Sequence, residues 1–261
     1  MQDELFCVAD QVVLVSGGSR GIGRALAAGF FQRGAHVVIT GRDSSSLQQT
    51  ADALQDGSRS VTPRVCDVSQ PESIAELVTQ VVEQFGRIDT LLNVAGVNQR
   101  KKVETYTVEE YDFILDINLR GAFFMAQQVG RQMIDQQHGA QIQIDSLNTA
   151  SPLRGVTPYA MSKAGLSMMT RGLATEWGGH GVRVNALAPG FILTALTEKL
   201  WSQPHLRKWG LDNTPLGRLG EVDDLIGTAV FLASRASEFL TGQVIYVDGG
   251  MSAGTCWPIE F

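Results

Sequence analysis

Short apolar runs rich in β-branched residues alternate along this chain with stretches whose apolar residues return every three or four positions, the pattern of strands alternating with helices. Gln11-Val-Val-Leu-Val-Ser16 is the first run and ends in a glycine cluster. Gly21 to Arg33 then carries Ile22, Leu26, Phe30 and Phe31 on one helical side. Ala35 to Thr40 predicts a second strand, Ser44 to Gln55 a helix, and Val61 to Val68 a third strand. Pro71 through Phe85 predicts a helix that starts on proline, stops at Gly86 and turns Ile74, Leu77, Val78 and Val81 to the core. Ile88 to Asn93 reads as a fourth strand, and a long helical stretch with Tyr111, Ile114, Leu115 and Leu119 continues toward Met133. Gln141 to Asp145 is a fifth strand of imperfect alternation, followed by a helix that carries Tyr159 and runs to about Gly178. Val182 to Leu187 and Gln243 to Val247 supply the sixth and seventh strands. Nearly continuous apolar strand cores belong to a parallel sheet covered on both faces, so the pattern predicts a doubly wound α/β fold.

Composition narrows the reading without redirecting it. A 261-residue chain that is 44% hydrophobic can bury a sizeable core, and no linker composition or fixed repeat divides it, so one domain over 1–261 is expected. A formal charge of −6 offers no basic face for phosphate backbones, which argues against nucleic acid as a partner. No run has the length of a membrane span, and Met1-Gln-Asp-Glu-Leu-Phe-Cys-Val lacks a basic region followed by an apolar stretch. A cytoplasmic protein without a membrane partner is the expectation. Cys7, Cys66 and Cys256 form no CxxC pair, and His36, His138, His180 and His205 show no ligand spacing, so no metal site is expected.

Two segments carry chemistry. Ser16-Gly17-Gly18-Ser19-Arg20-Gly21-Ile22-Gly23 lies where the first strand meets the first helix, the place where backbone amides and a helix N-terminus can hold a diphosphate. Its glycine spacing, Gly-x-x-x-Gly-x-Gly, departs from the GxGxxG fingerprint. Tyr159-Ala-Met-Ser-Lys163 stacks a phenol and an ammonium on one helix face, and a neighbouring cation favours the phenolate needed of a base. Taken alone, that pair reads as ordinary surface neighbours.

The glycine spacing, Asn93-Val-Ala-Gly96 after the fourth strand and Tyr159-x-x-x-Lys163 together resemble the short-chain dehydrogenase/reductase family, and the resemblance covers nearly the whole chain. Asp67-Val68, Asn118, Ser146 and Pro189-Gly190-Phe-Ile-Leu-Thr194 stand in the expected order. Two positions depart from the family pattern: Val94 replaces a second Asn, and Asp145 precedes Ser146 where Ser or Asn is commoner. Asp145 either places a carboxylate near the reaction centre or, the favoured reading, faces away to cap a neighbouring loop.

The resemblance implies a Rossmann domain that passes hydride between a nicotinamide and a carbinol carbon, with Tyr159 as the acid/base. It implies that Lys163 lowers the Tyr159 pKa and bonds the nicotinamide ribose, that Ser146 holds the substrate oxygen, and that Asn118 supports a water leading to Lys163. The implied cofactor contacts are Gly17, Ser19, Arg20, Gly21, Ile22 and Gly23 in the first turn, Asp67 and Val68 after the third strand, and Asn93, Ala95 and Gly96 after the fourth. Pro189, Gly190, Ile192 and Thr194 are implied to cover the nicotinamide. Gly41 occupies the position where an acid would hold the adenosine ribose, and Arg42 follows it, so with Arg20 the chain is expected to prefer NADP, with NAD as the alternative.

Gly96 to Lys102, Thr214 to Glu221 and Gly242 to Gly250 look most like bacterial gluconate 5-dehydrogenases and related sugar dehydrogenases. A sugar or sugar acid is the expected small-molecule substrate, with a 3-oxoacyl thioester the alternative. A nucleotide-binding regulator without turnover is the reading from another class, and the Asn118, Ser146, Tyr159 and Lys163 set argues against it. Arg100 within Arg100-Lys101-Lys102, Asn148, Arg154 and His205 are the substrate candidates. Bulky residues over 195–215 predict a lid, with core packing the equal alternative for Trp201 and Trp209. Family members are commonly homotetramers, here implied to pair helices near 105–135 and 155–178, and the tail 251–261, with Trp257, Ile259 and Phe261, is expected to pack on a neighbouring subunit.

Overall fold

The computed structural model describes residues 4–57 and 59–257. Its first half runs β1 (Val12–Ser16), α1 (Gly21–Gln32), β2 (His36–Gly41), α2 (Ser44–Ala53), a small antiparallel ribbon of β3 (Gln55–Asp56) and β4 (Arg59–Ser60), β5 (Thr62–Val65), α3 (Pro71–Phe85) and β6 (Thr90–Asn93). The second half runs α4 (Val108–Leu115), a π-helical segment Asp116–Gly121, α5 (Ala122–Gln136), β7 (Gly139–Ile144), α6 (Thr157–Trp177), β8 (Val182–Pro189), α7 (Glu198–Trp201), α8 (Pro204–Asp212), α9 (Ile226–Ala233) and β9 (Val244–Val247).

The seven long strands form one parallel sheet in the order β5-β2-β1-β6-β7-β8-β9. Every residue of β1 is buried, and successive residues feed opposite faces. Val13 and Val15 join the core under α1 and α9, around Leu26, Phe30 and Ala229. Val12 and Leu14 join the core under α3, α5 and α6, around Leu77, Met125 and Leu173. This two-sided burial is the reason the strand cores lack polar alternation.

The α3 pattern works as its sequence indicates. Pro71 occupies the first turn, Ile74, Leu77, Val78 and Val81 are the buried stripe, and Gly86 closes the helix in the left-handed region at φ 77°. Two expectations change. The third long strand, read as Val61 to Val68, spans only Thr62–Val65, because at the sheet edge Pro63 is tolerated but Asp67 turns the chain by accepting from the Ser69 N–H at 3.0 Å. The long helix toward Met133 is not continuous α-helix: it opens into the π segment that contains Asn118. Such widened turns take a backbone group out of the regular ladder and recur at functional sites.

Candidate active site

The sheet reverses its winding between β1 and β6, and the turns leaving β1, β6, β7 and β8 all open at the same edge, the carboxyl ends of the strands. The turn after β1 is pressed tightly into that edge. Gly17 has φ 81°, and a Cβ there would lie 2.8 Å from Ala95 N and Cα, so glycine is required both by conformation and by contact with the turn after β6. The Thr50 hydroxyl donates to Ser19 O at 2.9 Å and ties the same turn to α2. No side chain caps α1 at Arg20, which leaves its N-terminal amides for an anion; the Thr194 methyl lies 3.9 Å from where a Gly21 Cβ would sit. A diphosphate fits this cradle.

Arg20 and Arg42 are exposed and make no ion pair among the described residues. The acid beside Arg42 serves the helix: Asp43 caps α2 by accepting from the Ser46 N–H at 2.7 Å, which also holds its carboxyl below the usual range. Of the remaining cofactor candidates, Asn93 is buried and donates to Ala122 O and Gln143 Oε1, both at 2.9 Å, and Asp67 is engaged by both donors of Ser69. Val68 O is the atom against which Gly121 packs. Gly96 faces Asn118 Oδ1, while Gly190 packs on Asp248 beneath the end of β8. Ile192 is buried against Gly220, and its carbonyl accepts from the Thr197 hydroxyl at 2.7 Å.

The turn after β7 and the first two turns of α6 bring Ser146, Tyr159 and Lys163 together. Ser146 Oγ accepts from both the backbone N–H and the side-chain amide of Asn148, each at 3.1 Å. With both lone pairs taken, the Ser146 proton is directed outward. Burial pushes the Tyr159 phenol above its ordinary pKa; the Ser146 hydroxyl acts in the opposite direction, the Asp145 charge adds to the rise, and Arg100 opposes it.

Lys163 is 4% exposed, donates to Ile144 O at 2.6 Å and lies 5.7 Å from the centre of the Tyr159 ring. Burial lowers it to about 8, and Asp145 works against that fall. Desolvation is the largest influence on the Tyr159 phenol and acts upward. Asn118 uses its whole amide as a brace: Oδ1 accepts from Val97 N at 2.7 Å, and Nδ2 donates to Val97 O at 2.8 Å and Ser162 Oγ at 3.2 Å.

The substrate candidates separate. Arg100 and Arg154 are exposed on two loops that Lys101 N and Gly155 O join at 2.8 Å. Lys101 itself is committed to Glu110 at 2.6 Å, so the Arg100-Lys101-Lys102 cluster does not act as one patch. Asn148 is buried and spent on Ser146 and Leu153 N, which makes it a positioner of Ser146 rather than a substrate ligand. His205 is exposed at the start of α8. Within the 195–215 segment Trp201 is buried against Phe191, ring centres 5.1 Å apart, whereas Trp209 is 41% exposed. Both Asp145 readings hold at once: its carboxylate accepts from the Thr149 hydroxyl at 2.7 Å in the following turn and still acts on Lys163 and Tyr159. Sequence reasoning missed Thr149 and Ser162, whose roles depend on turns that no spacing rule marks.

A short-chain dehydrogenase family model, described as Enoyl-(Acyl carrier protein) reductase, matches residues 17–252. The chain belongs to the short-chain dehydrogenase/reductase family. This short-chain dehydrogenase/reductase is an oxidoreductase of CH–OH groups. It is 37% identical over 249 residues to a gluconate 5-dehydrogenase of Gluconobacter oxydans (strain 621H), covering 95% of this chain and 97% of the relative. It is 38% identical over 244 residues to a 3-oxoacyl-[acyl-carrier-protein] reductase of Thermotoga maritima, covering 92% and 97%. The crystal structure of a gluconate 5-dehydrogenase from Burkholderia cenocepacia J2315 in complex with NADP and tartrate superposes with a TM-score of 0.93 at 33% identity, covering 97% of this chain and 99% of that one. No helix among the described residues is long and apolar enough to cross a membrane.

Proposed function

We propose that this chain oxidises a carbinol of a sugar acid, or reduces the matching ketone, with NADP(H), and that the observation carrying the reading is the Ser146, Tyr159 and Lys163 group set beside the uncapped N-terminus of α1. NADP(H) bound in the cradle supplies or accepts the hydride. Its diphosphate would be held by the turn of Gly17, Ser19, Arg20, Gly21, Ile22 and Gly23, and Arg20 and Arg42 are the charges that would meet a 2′-phosphate; Gly41 in place of a ribose-binding acid supports NADP over NAD. Tyr159 takes the carbinol proton during oxidation and returns it during reduction. Ser146, its proton turned outward by Asn148, donates to the substrate oxygen and stabilises the charge that develops there. Lys163 supplies a buried cation one helical turn from the phenol, and Asn118 fixes the loop and helix around it.

The sugar-acid reading is supported by the names of the relatives and by Arg100, an exposed cation that acts on Tyr159 and is therefore placed to meet a substrate carboxylate. Arg154 on the joined loop is the second such cation. A 3-oxoacyl thioester stays as the second reading because a reductase of that class is 38% identical. Gluconate, 5-ketogluconate and an acetoacetyl thioester, each tested with NADP(H) and NAD(H) by nicotinamide absorbance, separate the readings. Turnover of gluconate or its ketone with NADP(H) is expected; turnover of the thioester alone overturns the sugar-acid reading, and a strong NAD preference overturns the cofactor.

Residues 195–215 act as a lid hinged on buried Trp201, with Trp209 on its outer side. The protein is a cytoplasmic homotetramer. The support is an exposed apolar face on α4, α5 and α6 with Phe113, Phe123, Met161 and Met168, and a groove of about 330 Å³ lined by Leu115, Leu119, Phe123 and Met169. Trp257 is exposed, as a tail that packs on another subunit requires; Ile259 and Phe261 lie outside the described residues.

A further inference from the structure

Asp145 is a buried acid with an unfinished set of partners. It directly follows β7, is 2% exposed, and has its backbone pinned by Asp145 N donating to Leu187 O at 2.8 Å. One carboxylate oxygen accepts from the Thr149 hydroxyl at 2.7 Å; the other, Oδ2, is buried with no hydrogen-bond partner among the described residues. The Lys163 ammonium is anchored 2.6 Å from Ile144 O, the carbonyl of the peptide bond that leads into Asp145. The buried ammonium thus lies beside the backbone that carries the buried acid, and no direct ion pair joins the two among the described residues, so any influence of one charge on the other acts through space.

On the reading of Tyr159 and Lys163 as the proton relay, on which this rests, we propose that Asp145 is a positioning residue of that relay, a fixed buried carboxylate whose charge retains protons on the Tyr159 and Lys163 pair and so sets the pH at which the pair gives one up. Burial raises its pKa on balance, and Thr149, Lys163, Ser167 and the Ser146 backbone each pull against that rise by favouring the charged form. On α6 it faces Tyr159 and Lys163, and raises both. On β9 it also raises Tyr246, on which Asp248 and Arg171 act in opposite directions. Arg100, from the loop after β6, is the cation that opposes it at Tyr159.

The sign does not depend on which partner of the pair loses its proton first. A nearby negative charge favours every protonated form, so both steps of the coupled pair lie at higher pH than they would beside a neutral residue. Oxidation needs the pair with one proton removed, and reduction needs it with both in place. Neutralising Asp145 therefore moves the rise of the oxidation rate and the fall of the reduction rate to lower pH together. A purely structural defect lowers both rates without moving either limb.

Asp145→Asn and Asp145→Ser remove the charge with different shapes, and Asp145→Glu keeps it. Tyrosinate absorbance, taken as the difference between each form with and without Tyr159→Phe, reads the phenol without any substrate. Rates with gluconate and NADP, and with 5-ketogluconate and NADPH, read the two limbs. The expected result is a shift of about one pH unit downward in the absorbance midpoint and in both limbs for the Asn and Ser variants, with Asp145→Glu near the parent. Folded Asn and Ser variants whose midpoints and limbs stay at the parent pH overturn the role of Asp145. If Tyr159→Phe retains turnover, the relay reading itself fails, which is a separate result.

Discussion

Asn148 aims two donors at a single oxygen, its backbone N–H and its side-chain amide each lying 3.1 Å from Ser146 Oγ. The side chain is fixed in turn, because Asn148 Oδ1 accepts from Leu153 N at 2.9 Å. Asn148→Ala removes one of the donors that orient the Ser146 proton, an effect of about 1.4 kcal/mol, so kcat is expected to fall about tenfold with little change in KM. Ser146→Ala removes the donor itself and is expected to cost on the order of a hundredfold in kcat. Steady-state kinetics in the reduction direction decide it. An Asn148→Ala enzyme with unchanged kcat means that the Ser146 proton needs no such orientation.

Arg20 and Arg42 are exposed and without ion pairs among the described residues, while the neighbouring Asp43 is occupied as the cap of α2. Arg20→Ala and Arg42→Ala are each expected to raise KM for NADP roughly tenfold, the scale of one charged hydrogen bond, and to leave KM for NAD nearly unchanged. Equal losses with both cofactors assign the arginines to general surface charge instead of the 2′-phosphate.

Phe123 is partly exposed at the edge of the groove formed with Leu115, Leu119 and Met169. A Glu there places a charge on a surface read as an interface and gives up only the edge contact with Phe124, ring centres 5.4 Å apart, within the chain. Phe123→Glu is expected to convert the proposed tetramer to a smaller species in light scattering while leaving the melting of secondary structure cooperative. A variant of undiminished mass places the interface elsewhere.

The fold was legible where one physical rule governs a whole element. The stripe of Ile74, Leu77, Val78 and Val81 between Pro71 and Gly86 fixes α3 to the residue, and the unbroken apolar run Val12 to Val15 of β1 announces a sheet buried on both sides. Asn118 shows the limit: helical periodicity runs through it unchanged, yet the backbone widens into a π turn there. Spacing also placed Tyr159 and Lys163 on one face, but the sign of the electrostatics came from depth. Burial of the phenol outweighs the charges around it, and no local pattern encodes that depth. Asn148 and Lys101 carry a related lesson, since each has a partner that only the folded loops bring near.

Lys163 makes the protein's stability depend on pH in an unusual direction. Burial lowers its folded-state value from an ordinary 10.5 to about 8, so between these values the unfolded chain holds a proton that the native state has released. Stability then rises with pH across that window, because the unfolded state binds more protons there. Below about 8 both states are protonated, and the native state carries the full penalty of a buried ammonium, up to about 3 kcal/mol. Lys163→Met has no proton to release. The difference in unfolding free energy between the parent and Lys163→Met, measured in urea at neutral pH and again near pH 10, is expected to shift in favour of the parent as pH rises. The comparison cancels groups distant from Lys163 that titrate in the same range, and making it in the Tyr159→Phe background removes the coupled phenol. A difference that stays flat between the two pH values shows that Lys163 remains charged in the native state throughout.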